Sequence, residues 1–166
     1  MAQSISRKGK GYVNQIPRVF ASLDEVRMLQ ERSQIETSDL QSGTTLKVKA
    51  TVTLGAGVAV VAIPDGSQRL VIAIDYVVSV NEDEKKTLLL SYSNKYQGTF
   101  IIDELLGFDL KKGDEIPIDA LQTYVTQIEW IARSRAQNAL IQYGFAGLAL
   151  PKSGKLAPNP QPSVQK

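Results

Sequence analysis

The sequence predicts an α+β domain: an antiparallel β-sandwich or small barrel of about five to six strands, with one long C-terminal helix, a short N-terminal helix and extended termini. Three observations carry this expectation. Leu46, Val48, Ala50, Val52 and Leu54 alternate with Lys47, Lys49, Thr51 and Thr53, the period of a half-buried strand. Short turn signals, Pro64-Asp65-Gly66 and "NEDEKK", punctuate the apolar runs that follow. Beyond residue 119, Leu121, Tyr124, Val125, Ile128, Ile131, Ala132 and Ala139 recur at the helical period.

Taken in order, residues 1–19 form a basic extended arm, residues 20–150 the single domain, and residues 151–166 a proline-rich basic tail. After Pro17, which disfavours helix at Ile16, Ser22-Leu23-Asp24-Glu25 has the pattern of a capping box. It predicts a short helix with Leu23, Val26 and Leu29 on its apolar side, followed by the loop "IETSDLQSGT". The alternating strand comes next, with Gly55 and Gly57 as a bend, and "VAVVAI" as a second strand.

"RLVIAIDYVVSV" is apolar on both sides and belongs in the middle of a sheet, covered by a second layer. "TLLLSYS", the turn "NKYQG" and the short "TFII" extend the meander, and "DELLGFDLKKGDEIPI" mixes a helical turn with an edge strand. Asp119 is the expected cap of the long helix, with Gly144 as its stop. Opposite the apolar stripe of that helix stand Trp130 and Ile141, among Thr123, Gln127, Ser134 and Gln137. A back face without charge has the composition of a protein contact.

Charge is divided unevenly. Arg7, Lys8, Lys10 and Arg18 in the arm, and Lys152, Lys155 and Lys166 in the tail, are accompanied by no acid, so the domain between them is acidic although the net charge is +2. No cysteine is present, which excludes disulfides and thiolate metal sites. No histidine is present either, which removes the commonest general base and metal ligand. No apolar run reaches the roughly 20 residues of a membrane helix, and no secretory leader follows the first cations.

Motifs for chemistry are weak. Gly9 and Gly11 lack the Walker spacing. Asp103-Glu104 and Asp114-Glu115 stand beside turns as surface charges, and "NEDEKK" lacks the twelve-residue calcium pattern. Asp75 lies inside the most apolar strand and is expected on an open face of the sheet rather than buried. Lys47 and Lys49, with Tyr92 and Tyr96, form a candidate nucleic-acid contact, opposed by the acids Glu82, Asp83 and Glu84.

These features lead to an expectation of a structural assembly subunit, a virion protein of a phage head, connector or tail. It would form homo-oligomers through Arg7, Lys8, Lys10, Tyr12 and Arg18 in the arm and Trp130 and Ile141 on the helix. Its partners would be its own copies and neighbouring subunits, with nucleic acid a further candidate through the basic tails, and without cofactor or metal. A nucleic-acid-binding barrel and an enzyme using carboxylates are the alternatives, and the compartment expected is the virion, assembled in the cytoplasm.

Overall fold

A computed structural model describes residues 17–36, 45–110 and 114–153. Four strands, β1 (Arg18–Ile35), β2 (Val48–Ala62), β3 (Gln68–Glu82) and β4 (Leu88–Leu106), are followed by a 3-10 turn (Ile118–Leu121) and helix α1 (Gln122–Gln142). The strands make one antiparallel sheet in the order β1-β4-β3-β2, so β2, β3 and β4 form a meander and β1 is added beside β4. The chain thus passes from one edge of the sheet to the other between β1 and β2.

Alternation explains the core. Leu70, Ile72, Ile74, Tyr76, Val78 and Val80 of β3 point to one face, joined by Leu90, Tyr92, Tyr96 and Phe100 of β4. Helix α1 covers that face with Val125, Ile128, Ala132, Ala136, Ala139 and Leu140. Its three alanines keep the helix close, and Ile128 seats over Gly98, where an added Cβ would lie 2.4 Å from Cδ1. Each large side chain fully buried here contributes about 1.5–3 kcal/mol.

The α+β class and the long C-terminal helix are as expected, but the five- to six-stranded sandwich or barrel is replaced by a single four-stranded sheet. The strands were undercounted in length and overcounted in number. Gly55 and Gly57 sit within one uninterrupted strand, paired with Asp75 and Ala73, instead of bending the chain. "NKYQG" likewise lies inside β4, because Tyr96 and Gly98 pair with Ile74 and Ile72 and stay buried. Among the described residues no second layer covers the other face of β3. Asp75 lies on that open face, its side chain 57% exposed and its carboxylate 3.2 Å from the ammonium of Lys95.

The short N-terminal helix is absent: Ser22 to Leu29 belong to β1. Two bulges explain the misleading spacing. Between Leu23 and Glu25, and again between Met28 and Gln30, β1 carries one residue more than β4. The positions opposite buried residues of β4 are therefore Leu23, Val26, Met28, Glu31, Ser33 and Ile35. Their steps of three and two imitate a helical stripe, and pairing along β4 outweighs the weak local helix preference.

Two details of α1 differ as well. Asp119 falls in the 3-10 turn and makes no cap bond to the helix, which begins after Leu121. Ile131, expected on the buried stripe, is exposed. Gly144 does end the helix, with φ of 89°, a conformation that favours glycine.

Candidate functional site

β1 is a long edge strand that, among the described residues, pairs only with β4. Among the described residues no strand pairs with its other edge, where backbone donors and acceptors remain, apart from those that Tyr124 engages at Val19 and Ala21. Five large apolar side chains along it, Phe20, Leu23, Met28, Leu29 and Ile35, are exposed, interleaved with the charged Arg18, Asp24, Glu25, Arg27, Glu31 and Arg32. Charges and bulges blunt an edge, whereas exposed apolar side chains favour addition of another strand, and β1 combines both features.

The helix holds this edge in place by three polar ties. The Tyr124 hydroxyl accepts from the Ala21 amide and donates to the Val19 carbonyl, both at 2.9 Å, where β4 carries an extra residue opposite Phe20 and Ala21. The Glu31 carboxylate accepts two bonds from the Arg135 guanidinium at 2.9 Å and one from the Tyr92 hydroxyl at 2.5 Å. Tyr143 and Ser33 share a hydroxyl bond of 2.6 Å.

Arg135, and after it Tyr92, lowers the Glu31 pKa from the usual carboxylate range. Burial, reinforced by the Glu31 charge, pushes the Tyr92 phenol up, so it serves as a fixed neutral donor. Asn94 beneath them donates to the Ala132 carbonyl at 2.9 Å.

Between the edge and the helix back lies an open groove of about 810 Å³, lined by Leu23, Gln122, Thr123, Thr126, Gln127 and Trp130. Trp130 is 68% exposed, and Ile141 further along the same helix face is also exposed. Neither is sheltered by the described residues of its own chain. A second groove of about 450 Å³ lies at the other end, between Leu46, Val48 and Leu89 on one side and Phe145 and Leu148 on the other.

Of the sequence-predicted residues, Trp130 and Ile141 share this exposed face, and Arg18 opens β1 near it. Arg7, Lys8, Lys10 and Tyr12 lie outside the described residues. The candidate nucleic-acid contact is not assembled. Tyr92 and Tyr96 are buried under α1, while Lys49 alternates onto the uncovered side of β2. No base could stack on rings enclosed in the core. Sequence reasoning missed β1 and Leu23, whose signal was hidden by the bulges. Among the described residues no cluster of carboxylates suited to a metal is present, and no helix is long and apolar enough to cross a membrane.

No protein-family model matches the chain, and no curated protein matches it. Among solved structures the chain is similar to a SecB-like chaperone from Mycobacterium tuberculosis, solved in complex with a ChAD peptide from the HigA1 antitoxin. The TM-score is 0.51 at 15% identity, over 79% of this chain and 89% of that one. A likeness at this level identifies a shared fold. It overturns the expectation of a virion structural protein: arms and a compact β body suggested a particle subunit by analogy, whereas the sheet-and-helix arrangement is that of a SecB-like chaperone. The alternative of a nucleic-acid-binding barrel loses its basis as well, since the described strands form one open sheet and the tyrosines meant for stacking are core residues.

Proposed function

We propose that the chain is a non-enzymatic, protein-binding chaperone of the SecB-like kind, which holds extended apolar segments of other proteins and works in the cytoplasm as an assembly of its own copies. The observation that carries this reading is the β1 edge. It combines unpaired backbone groups, exposed apolar side chains and a neighbouring groove floored by Leu23 and Trp130. An extended segment laid there gains main-chain hydrogen bonds of any sequence and apolar contacts at alternate residues. The fold likeness to a chaperone solved with a bound peptide supports the same reading.

Contacts between copies are assigned to the uncharged helix face of Trp130 and Ile141. The arm residues Arg7, Lys8, Lys10, Tyr12 and Arg18 reach the acidic body of a neighbour, an attraction that salt weakens. The test is light scattering from an aggregating, chemically unfolded client protein. The full chain without nucleotide suppresses aggregation at near-stoichiometric amounts, and Leu23→Asp weakens suppression. A folded chain that leaves the aggregation curve unchanged overturns the proposal.

A further inference from the structure

After the turn at Gly144 the chain runs back along α1 in the opposite direction, and α1 grips it by one stripe. Glu129, Arg133 and Gln137 follow one another at intervals of four residues and so stand one above another on the helix. Gln137 donates its amide to the Leu148 carbonyl at 2.9 Å. Arg133 forks across two carbonyls, that of Pro151 at 2.8 Å and that of Leu150. Glu129 accepts from the Ser153 hydroxyl. From Glu129 to Gln137 the helix rises about 12 Å. The five residue steps from Leu148 to Ser153 cover that span only in an extended conformation.

Two features make this grip indifferent to sequence. Arg133 and Gln137 read main-chain carbonyls, which every peptide supplies. A single side chain is inserted deeply: Leu150, 5% exposed, joins the buried cluster that includes Tyr76 and Leu54. Tyr76 brings a second, independent sign of a ligand site. It is wholly buried, its hydroxyl lacks a hydrogen bond of good geometry, and it feels the charges of Arg133 and Glu129 beside it. Burial raises the pKa of this phenol, and the Arg133 guanidinium that reads the segment's carbonyls stands close enough to oppose that rise.

The start of the segment borders open space, although Phe145 and Leu148 also pack against the core. The second groove stays open between Phe145 and Leu148 and the apolar surface of Leu46, Val48 and Leu89. Helix α1 does not need the segment for its own seat, which rests on Val125, Ile128, Ala132, Ala136 and Leu140 against β3 and β4.

From these observations we infer that the flank of α1 marked by Glu129, Arg133 and Gln137 is a second peptide-binding site, and that residues 148–153 occupy it as an internal competitor. Its ligand class is an extended peptide with aliphatic side chains at alternate positions, as in Leu148-Ala149-Leu150-Pro151. The inference rests on the peptide-holding reading above and adds a site and a control: a client gains access by displacing the chain's own segment. The apparent affinity is then reduced by the fraction of molecules whose groove is closed.

The experiment measures fluorescence anisotropy of a labelled synthetic peptide, Phe-Ala-Gly-Leu-Ala-Leu-Pro-Lys-Ser, added to the full chain. Leu150→Ala in the protein loosens the internal segment but leaves the gripping stripe intact, and binding of the peptide tightens at least tenfold over wild type. Adding Arg133→Ala and Gln137→Ala to that variant abolishes the gain. A peptide carrying valine and isoleucine in place of its two leucines binds comparably, and one carrying aspartates there does not.

Because Leu150→Ala also removes a core side chain, hydrogen exchange on the wild-type chain provides the second measurement. Excess peptide speeds exchange of the amides between Leu148 and Ser153. Equal affinity for wild type and Leu150→Ala, or unchanged exchange, overturns the inference while the aggregation assay can still succeed. Failure of both assays removes the peptide-holding reading itself.

Discussion

Arg135 on α1 and Glu31 on β1 form a two-point ion pair, both bonds 2.9 Å long, across the seam between the helix and the sheet edge. It ties residues 104 positions apart in sequence, and the Tyr92 hydroxyl completes it from below. The folded pKa of Glu31 lies below its unfolded value, so its contribution is fully present above the ordinary carboxylate range of about pH 4.3 and is lost as pH falls through the depressed folded value. Glu31→Gln therefore flattens the acid limb of the stability curve, measured as the denaturant midpoint between about pH 5 and 3. An unchanged acid limb would contradict a role for the pair in holding the edge.

Tyr124→Phe tests the tie at the start of β1. The ring is kept, with its edge-to-face contact on Phe100 at 5.1 Å, so only the hydroxyl is removed. The Val19 carbonyl and the Ala21 amide then lose their partner where the ladder is already irregular. A loss of about 1–2 kcal/mol is expected in chemical denaturation. Exchange at the Ala21 amide should rise by more than that of β3 amides, since the lesion is local.

Gly98→Ala tests the closeness of α1 to the sheet. The new methyl would meet Ile128 at 2.4 and 2.8 Å, well inside van der Waals contact. The helix must lift or Ile128 must change rotamer, at a cost of about 1–3 kcal/mol. Ile128→Ala alone costs about 2–5 kcal/mol by leaving a cavity. The double variant is more stable than the two costs added together predict, because each change fills or vacates the same space. Strict additivity in denaturation midpoints would show that the two residues do not share that space.

How far the fold could be read from the sequence depended on whether the pattern was broken by bulges. β2 and β3 keep a continuous register with one another; alternation located the first half of β2, an apolar run located β3, and Asp75 is exposed on the open face where it was expected. The helix was legible because its stripe is long; Trp130 and Ile141 on its uncharged back, read as a protein contact, are exposed within the chain. β1 was not legible, since the extra residues at Asp24 and Leu29 convert steps of two into steps of three. The groove was lost with it, because Leu23 reaches Trp130 only when its segment is a strand. The stripe of Glu129, Arg133 and Gln137 was present as a spacing of four, yet nothing in composition says that a returning segment lies against it.

Trp130 is the last and most direct probe, being the single tryptophan of the chain. It is 68% exposed, so replacing it removes little buried area and should leave the denaturation midpoint within about 0.5 kcal/mol of wild type. What it does remove is the aromatic wall of the groove beside Leu23. Trp130→Glu puts a charge where an apolar partner would sit, and desolvating that charge opposes association. The variant should therefore have a smaller mass in light scattering and should suppress client aggregation less, with stability preserved. In the wild-type chain the same side chain reports its own burial: emission shifts to the blue as protein concentration rises or as an apolar peptide is added. If emission stays that of a solvated indole under both conditions, the surface is bare in solution and the edge of β1 must act without it.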